Sequence, residues 1–384
     1  MGIFAYAMYL SRISLVNYKN YSEALLDFIP GVNVLLGNNG EGKTNLLDAI
    51  HYLSMCKSYF QPADSANIRN GEDFFIIQGN FDVDGISENI YCGLKRNQKK
   101  VFKRNQKEYD RLSEHIGLLP VVMIAPTDTQ IITEGSEERR KFLDSIIAQY
   151  DPVYLDDLIQ YNRVLSQRNA YLKLAAVSRS FDAETCAAWD DQLIRLGVRI
   201  HRIRSGFIGR LIPMFLNYYE SITGGKEQAG IQYDSQLLKS DFKYLLEEHQ
   251  AKDRALQYTS VGIHKDDLQF TINGLPVKRY ASQGQQKSFL VALKLAQFEF
   301  IREIKKFKPI LLLDDIFDKL DDRRVAYLMK LVSHENFGQI FITDTHPERV
   351  REIFERIHVP IRSFLVRNGT ISHLEKEEKT LRAE

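Results

Sequence analysis

The spacing of hydrophobic and polar positions changes twice along the chain. Up to about residue 135, short apolar or alternating runs are broken by turn residues, which predicts β-strands. Across residues 136–219 turn residues are scarce, and apolar positions recur at helical spacing, as at Leu193, Leu196 and Ile200, which predicts long helices. Strand-like runs return at Leu268–Ile272. The pattern therefore predicts an α/β body that is divided by a helical insertion.

This division predicts three segments. Residues 1–135 and 256–384 are expected to form the N-terminal and C-terminal parts of one α/β body, and residues 136–255 a mainly helical lobe inserted between them. Strands that are apolar throughout are typical of a parallel sheet buried on both faces. The expected apolar strands are Val32–Leu36, Leu119–Ile124, Ile310–Leu313 and Gln339–Thr343; further strands lie between Phe74 and Val101 with a turn at Asp84-Gly85; helices are expected at Lys43–Cys56, from Ser282 and from Asp321.

A glycine-rich segment between the strand ending at Leu36 and the following helix matches G-x-x-x-x-G-K-[ST] at every fixed position. Its glycines let successive N–H groups turn toward one anion, and the helix N-terminus adds partial positive charge. Lys43 is expected to reach the β- and γ-phosphates of ATP, and Thr44 to offer its hydroxyl to Mg²⁺. The predicted nucleotide-binding residues are Gly37, Asn38, Asn39, Gly40, Glu41, Gly42, Lys43 and Thr44.

Two carboxylates follow the apolar run Ile310–Leu313. A buried parallel strand delivers the side chains at its C-terminal end to the ligand crevice. We therefore expect Asp314 to hold Mg²⁺, directly or through water, and Asp315 to orient or deprotonate the attacking water. Asp315 and Lys43 are accordingly predicted to be catalytic.

A third nucleotide motif precedes a strongly periodic helix. Ser282 and Gly284 stand where that helix begins, which is again an anion-binding geometry. The string resembles the signature motif S-x-G-Q of ABC-type ATPases, in which the serine and glycine touch the γ-phosphate held by a partner subunit. The resemblance assigns Ser282, Gly284 and Gln285 to nucleotide binding, assigns Ser282 to catalysis, and implies an ATP-dependent homodimer.

The composition narrows the class of protein. Hydrophobic residues make up 44% and charged residues 26% of the chain, which is ordinary for a globular protein and excludes collagen-like, disordered and membrane classes. The run from Gly2 to Leu10 is too short to span a bilayer and lacks signal-peptide features. Met8 opens the first predicted strand, so residues 1–7 are expected to be an upstream extension or a misassigned start. The cysteines lack the spacing of a zinc site or disulfide framework, and a cytoplasmic location is expected.

Basic residues are segregated, although the 51 Lys and Arg nearly balance the 50 Asp and Glu. The segment Lys95–Arg111 holds eight basic residues against two acidic ones and predicts a β-hairpin with basic tips. Residues 158–181 and 192–219 contain no acid but several arginines, among them Arg168 and Arg204. Such faces suit the phosphate backbone of single-stranded or duplex DNA without base readout. The candidate DNA contacts are Arg195, Arg199, Arg202, Lys99, Lys100, Lys103 and Arg104.

Four local strings, together with the order of the three nucleotide motifs, carry a family resemblance that covers about residues 8–370. The whole set resembles the RecF family of DNA-repair ATPases, which are close kin of SMC heads. The four strings are Leu15–Tyr21, Gly135–Asp144, Tyr161–Asn169 and Gly262–Asp267.

The resemblance implies an ABC-type ATPase head, a mixed β-sheet with flanking helices, that carries an inserted helical lobe. It implies an ATP-dependent DNA-binding protein of recombinational repair and replication, with a weak, DNA-stimulated ATPase. An ATP-induced dimer would clamp DNA and release it on hydrolysis, supporting recombinase loading at single-strand gaps and the SOS response. RecO and RecR are implied as partners. Asp318 stands at the position of the D-loop serine, Asp344 and His346 near that of the switch histidine, and Asp128 is the glutamine-loop candidate.

Two other functions share some of these sequence features. The nucleotide-binding subunit of an ABC transporter shares all three motifs, but it has a smaller insertion and typically carries L-S-G-G-Q in place of Ser282–Gln285. An SMC-like tether needs a coiled-coil arm, and no heptad pattern here runs long enough for one. DNA-stimulated ATP turnover would favour the repair ATPase, and copurification with a membrane protein would favour the transporter subunit.

Overall fold

The computed structural model describes residues 8–316 and 337–374. The strands are β1 (Met8–Tyr18), β2 (Tyr21–Asp27), β3 (Val32–Leu36), β4 (Phe74–Val83), β5 (Ile86–Lys95), β6 (Val101–Arg104), β7 (Lys107–Glu108), β8 (Val121–Ile124), β9 (Ala229–Asp234), β10 (Asp267–Ile272), β11 (Leu275–Pro276), β12 (Ile310–Leu313), β13 (Ile340–Asp344), β14 (Ile361–Arg367) and β15 (Thr370–Leu374). The helices are α1 (Lys43–Met55), α2 (Gln130–Thr133), α3 (Ser136–Ile147), α4 (Pro152–Ser178), α5 (Ala183–Thr223), α6 (Phe242–Leu256), α7 (Val277–Tyr280), α8 (Gln283–Lys305) and α9 (Pro347–Ile357).

The chain divides into two compact units. The first combines the residues up to Pro126 with those from Ile301 onward, and the second is Thr127–Phe300. The sequence predicts a narrower insertion, residues 136–255. The structure groups residues 256–300 with the helical segment because β10 pairs antiparallel with β9 along its full length, from Asp267 opposite Asp234 to Ile272 opposite Ala229.

A six-stranded sheet with the order β15-β14-β3-β13-β12-β8 forms one layer of the first unit. Its pairings are parallel, except that β14 and β15 are antiparallel. The strands β3, β8 and β12 are buried throughout, as their apolar sequences predict. Because parallel neighbours end at the same edge, the residues that follow β3, β12 and β13 emerge together at that edge.

A second six-stranded sheet, with the order β2-β1-β4-β5-β6-β7, is antiparallel. The predicted turn at Asp84-Gly85 joins β4 to β5. Helix α1 contacts β4 and β5 of this sheet and β8 and β13 of the parallel sheet. Every residue of α1 from Leu46 to Met55 is buried, since the helix has a sheet on either side. This mixed-sheet arrangement with flanking helices is the ABC-type head that the sequence predicts.

Long helices dominate the second unit. Helices α4 and α5 pack against each other, and α6 packs against both. The predicted helical run is thus confirmed, and α5 ends at Thr223, before Gly224 in the left-handed conformation. A three-stranded sheet, β11-β10-β9, completes the unit. Within residues 8–316 and 337–374, no helix combines the length and apolar character needed to cross a bilayer.

Candidate active site

The phosphate loop connects β3 to α1 and depends on glycine at two close approaches. A Cβ at Gly37 would lie 2.3 Å from the carbonyl oxygen of Val366. A Cβ at Gly42, where φ is +117°, would lie 2.4 Å from the amide nitrogen of Asn20. Both glycines are therefore required by space as well as by backbone conformation. The tip of the loop, Asn38–Gly40, is exposed.

Residues remote in sequence hold this loop in place. Asn20 Nδ2 donates to the carbonyl oxygen of Glu41 at 2.8 Å, and the Tyr21 hydroxyl donates to that of Gly42 at 2.8 Å. The N–H of Gly369 also donates to the Glu41 carbonyl oxygen, at 3.0 Å. Sequence reasoning did not assign these supports, although Asn20 and Tyr21 end one of the family-like strings. These contacts within the protein fix the loop backbone, which is the preorganisation an anion site requires.

The ammonium of Lys43 lies inside the loop. Lys43 Nζ donates to the carbonyl oxygens of Gly37 at 2.7 Å and of Asn38 at 2.9 Å. The side chain is buried, so the charge is held against the backbone of the loop. A cation held in this way is positioned to meet phosphate oxygens that the loop surrounds.

The parallel sheet brings Asp314 to the start of α1. Thr44 Oγ1 donates to Asp314 Oδ1 at 2.8 Å, and Thr343 Oγ1 donates to the same oxygen at 2.9 Å. Burial raises the pKa of Asp314 above its ordinary value, while the hydrogen bonds from Thr44 and Thr343 act in the opposite direction. Thr44 and Asp314 offer a hydroxyl and a carboxylate oxygen, the hard donors that Mg²⁺ prefers, so this pair fits the predicted metal ligands.

Asp315 occupies an uncommon backbone conformation beside this pair. Its φ is 45°, in the left-handed region that costs a non-glycine residue ~1–3 kcal/mol. Its N–H donates to Thr343 Oγ1 at 2.8 Å, so Thr343 links both carboxylate residues of the strand end. Thr343 is a site residue that sequence reasoning missed, because its place depends on the register of β13 beside β12.

The segment after β13 contains the two residues nearest the expected switch position. Asp344 is buried and accepts hydrogen bonds from the guanidinium of Arg349 at 2.8 Å and from the N–H of His346 at 2.6 Å. The His346 side chain is largely exposed. The Asp344 carboxylate is therefore held by the Arg349 guanidinium and by the backbone of His346. The D-loop position Asp318 and the helix expected from Asp321 lie outside the described residues.

The signature turn lies in the second unit, at the start of α8. The N–H of Ser282 donates to Gln285 Oε1 at 2.8 Å, and the N–H of Gln285 donates to Ser282 Oγ at 3.2 Å. This reciprocal arrangement is a capping box. Ser282 is exposed, whereas Gly284 and Gln285 are half-buried. The glutamine-loop candidate Asp128, in the same unit, forms a buried ion pair with Lys294 of α8 at 2.9 Å.

The basic hairpin supplies fewer DNA candidates than its sequence predicts. Lys100 donates to Asp64 at 2.7 Å and to the carbonyl oxygen of Cys56 at 2.6 Å, and its side chain is only 11% exposed. Arg104 pairs with Glu88 through two hydrogen bonds, the shorter at 2.6 Å. The prediction of Lys100 as a DNA contact is therefore wrong, because its charge is engaged inside the unit, and Arg104 is a structural partner of Glu88. Of the remaining two candidates, Lys99 is exposed and Lys103 is half-buried.

Three exposed arginines on one side of α5 form what we call the arginine face. Arg199 also pairs with Asp157 of α4 while its side chain stays 52% exposed. An exposed row of guanidinium groups at helical spacing can follow a phosphate backbone without reading bases. The members of the arginine face are Arg195, Arg199 and Arg202.

Two other arginines of the acid-free segments are buried and belong to the core. Arg204 contacts Asp144 and Asp266, each at 2.8 Å. Arg168 contacts Asp253 at 2.8 Å and Asp190 at 2.6 Å. The prediction that Arg168 and Arg204 belong to basic surface faces is therefore wrong. The signal that could have found them is periodicity, since each lies on the buried stripe of its helix; the neighbours on those stripes are Val164 and Leu172 for α4, and Ile200 and Phe207 for α5.

Three of the family-like strings converge on these buried arginines. The strings supply the partners of a polar network that holds the second unit together, since buried charges are tolerated only when they are paired and hydrogen-bonded. The contacts are Arg139 with Asp267 at 2.6 Å, Arg140 with the carbonyl oxygen of Asp266 at 2.7 Å, Asp144 with Arg204 at 2.8 Å, the Tyr161 hydroxyl with His264 Nδ1 at 2.9 Å, and Asn169 Oδ1 with the N–H of Thr259 at 2.8 Å.

A phosphate loop follows the buried strand β3, and an acidic pair follows β12, which is separated from β3 by β13 in the same sheet. Together with a signature turn at the start of a helix, these features define an ABC-type ATPase head. Known proteins agree with this class. A family model described as the RecF/RecN/SMC N terminal domain matches residues 9–372. The Smc head domain of Pyrococcus furiosus superposes with a TM-score of 0.57 over 96% of each chain at 16% identity, which supports the fold alone.

Relatives of higher identity narrow the class to one family. The DNA replication and repair protein RecF of Flavobacterium johnsoniae is 51% identical over 357 residues, covering 93% of this chain and 99% of the relative. That of Bacteroides fragilis (strain ATCC 25285) is 47% identical over 373 residues, covering 97% and 100%. A solved structure of the recombination mediator protein RecF with ATP is 32% identical, with a TM-score of 0.88 over 98% of this chain and 100% of that chain. This chain belongs to the RecF family.

Proposed function

We propose that this chain is an ATP-dependent DNA-binding protein of recombinational repair and replication, with a weak ATPase that DNA stimulates. The observation that carries the proposal is the contact of Thr44 with Asp314 beside the ammonium of Lys43, because it joins the two nucleotide motifs of the first unit at one point. The relatives, which are named for DNA replication and repair, support the cellular role. They do not favour the alternative of a transporter subunit.

Each site residue of the first unit has a distinct part in the proposed ATP hydrolysis. The loop N–H groups and Lys43 bind the phosphates, and Asp315 orients or deprotonates the attacking water. Thr44 and Asp314 would hold Mg²⁺, which would neutralise charge on the phosphates. Thr343 keeps Asp314 and Asp315 in register through its single hydroxyl.

Nucleotide binding is proposed to control association with DNA. Ser282 and Gly284 would meet the γ-phosphate bound by the loop of a second copy, so that two chains enclose two ATP molecules in a two-fold dimer. The arginine face, with Lys99 and Lys103, would contact the DNA backbone. Hydrolysis would open the dimer and release the DNA. We place this activity in the cytoplasm, at single-strand gaps, with RecO and RecR as partners in recombinase loading and in the SOS response.

Light scattering with a non-hydrolysable ATP analogue, with and without gapped DNA, tests this proposal. The wild-type chain should double in mass with the analogue and remain monomeric with ADP. Ser282→Arg should still bind the analogue, since the phosphate loop is unchanged, but should not dimerise. A Ser282→Arg variant that dimerises as fully as the wild type would exclude the composite site. ATP turnover unaffected by DNA would exclude the proposed role of DNA as an activator.

A further inference from the structure

A chain of hydrogen bonds leads from the end of α5 to the signature turn. The hydroxyl of Tyr219 donates to Glu227 Oε2. Glu227 Oε1 accepts from Gln285 Nε2 at 3.0 Å, and Gln285 Oε1 accepts from the N–H of Ser282 at 2.8 Å. All four residues belong to the second unit. No nucleotide motif predicts a role for Glu227 or Tyr219.

The hydrogen bond between Gln285 and Glu227 has a fixed polarity. The oxygens of a carboxylate can only accept hydrogen bonds, and both oxygens of Glu227 do so here. The amide of Gln285 must therefore turn its NH₂ group toward Glu227, which turns its carbonyl oxygen toward Ser282. Were the amide reversed, its oxygen would face the carboxylate and its NH₂ would face the N–H of Ser282, leaving two acceptors and two donors in opposition.

The same arrangement leaves the Ser282 hydroxyl proton available. Ser282 Oγ already accepts from the N–H of Gln285 at 3.2 Å. A hydroxyl that accepts in this way keeps its single O–H to donate, and Ser282 is exposed. The oxygens of a fully ionised phosphate can only accept. The Ser282 hydroxyl can thus donate its proton to a phosphate oxygen.

We propose that Glu227 is a positioning residue for the signature turn: it fixes the Gln285 amide so that Ser282 presents its hydroxyl proton to the nucleotide phosphate. The inference rests on the proposed function, in which that phosphate is bound by a second copy of the chain. Tyr219 in turn fixes Glu227, because its buried ring packs against Phe215 and Phe289, each at 5.8 Å between ring centroids. Glu227 acts through Gln285 and does not touch the nucleotide.

The test compares Glu227→Ala with Glu227→Gln and with the control Glu220→Ala. Glu220 is an exposed carboxylate residue near the end of α5 that accepts the N–H of Gly224 only through its backbone. Two quantities are measured for each variant. The first is binding of a non-hydrolysable ATP analogue to the dilute monomer, and the second is the protein concentration at which the analogue produces half-maximal dimer by light scattering.

Loss of a hydrogen bond to a charged group corresponds to about a tenfold or larger change in an equilibrium constant. We therefore expect Glu227→Ala to need at least about tenfold more protein to dimerise, with analogue binding by the monomer unchanged. Glu227→Gln keeps a carbonyl oxygen that can accept from Gln285 and should recover most of the dimerisation. Glu220→Ala should match the wild type.

Wild-type dimerisation by Glu227→Ala, or an equal loss in Glu220→Ala, would overturn the positioning role. That result is distinct from failure of the proposed function, for which the wild type with the analogue and Ser282→Arg serve as references. If the wild type dimerises, Ser282→Arg does not and Glu227→Ala does, then only the role of Glu227 is wrong. If the wild type remains monomeric with the analogue, both proposals are wrong.

Discussion

Arg202 and Arg204 stand two positions apart on α5, and we predict opposite consequences for the same replacement at each. Arg202 is exposed, whereas the Arg204 side chain is 1% exposed. The Arg204 guanidinium donates to Asp266 Oδ2 and Asp144 Oδ1, both at 2.8 Å, and to the carbonyl oxygen of Ile263 at 2.8 Å. Arg204→Met removes the counter-charge of two carboxylates while keeping an apolar side chain in the helix.

The expected cost follows from what the variant leaves behind. Removing one partner of a buried ion pair costs ~3–5 kcal/mol, because the other charge stays in a poorly solvated place. The Tyr233 hydroxyl still donates to Asp266, and the Tyr154 hydroxyl still donates to Asp144, so the two carboxylates keep one hydrogen bond each. We therefore expect Arg204→Met to lower the free energy of unfolding by about 3 kcal/mol. Arg202→Met should stay within about 0.5 kcal/mol of the wild type.

The single tryptophan makes the measurement specific to the second unit. Trp189 lies in α5, with its ring 5.1 Å from that of Tyr171, so its fluorescence in a urea titration follows the unfolding of this unit. The dependence of DNA binding on salt concentration is measured in parallel. In this assay Arg202→Met is expected to have the larger effect and Arg204→Met the smaller. Arg202→Met should reduce the log–log salt slope by about 0.9 for duplex DNA, and folded Arg204→Met should leave it unchanged. Equal losses of stability in the two variants would refute the assignment of Arg204 to the core.

Further variants test the nucleotide site, the arginine face and a buried histidine. Lys43→Ala should lose measurable ATP binding in calorimetry, since each charge-assisted hydrogen bond to phosphate is worth about 1.5–3 kcal/mol; unchanged affinity would remove the loop assignment. Asp315→Asn should bind ATP but turn it over ~10²–10⁴ times more slowly in a phosphate-release assay, and normal turnover would mean that another residue is the base. Charge reversal of the whole arginine face should weaken binding to all DNA sequences alike and flatten the salt slope. An unaltered slope would mean that this face is a solvated helix surface that does not contact DNA. Burial lowers the pKa of His264 from 6.5 to about 4. Between these two pH values the histidine is protonated in the unfolded chain but not in the folded chain, so the free energy of unfolding falls as the pH drops from 6.5 toward 4. His264→Gln should reduce the pH slope of the unfolding free energy in that window by up to about 1.4 kcal/mol per pH unit, and an unchanged slope would show that the histidine is not the group that titrates.

Features that are local in sequence were predictable, whereas those that depend on strand register were not. The phosphate loop is such a local feature, because its residues, the preceding strand and the following helix are contiguous. Thr343, by contrast, reaches Asp314 only because β13 pairs beside β12 with Leu313 opposite Ile342. No sequence signal sets that pairing.

The misplaced arginines had a different cause. Charge content alone cannot tell which side of a helix a residue faces, and Arg204 was grouped with Arg202 for its charge. The spacing that predicts α5 also places Arg204 four residues after Ile200, on the buried stripe. Periodicity applied to the charged residues, as it was to the apolar ones, separates the arginines of the core from those of the surface.

The division of the first unit between the two ends of the chain governs when the nucleotide site can exist during translation. Strand β3 acquires both its sheet neighbours, β13 and β14, only from residues that are translated about 300 positions after it. Thr44 and Asp314 are 270 positions apart, which a ribosome adding ~5–20 residues per second takes roughly 15–50 s to cover. The second unit is continuous and can form in that interval, with its buried ion pairs already closed. A nascent chain therefore carries the phosphate loop long before β12 supplies the Asp314 carboxylate that Thr44 contacts.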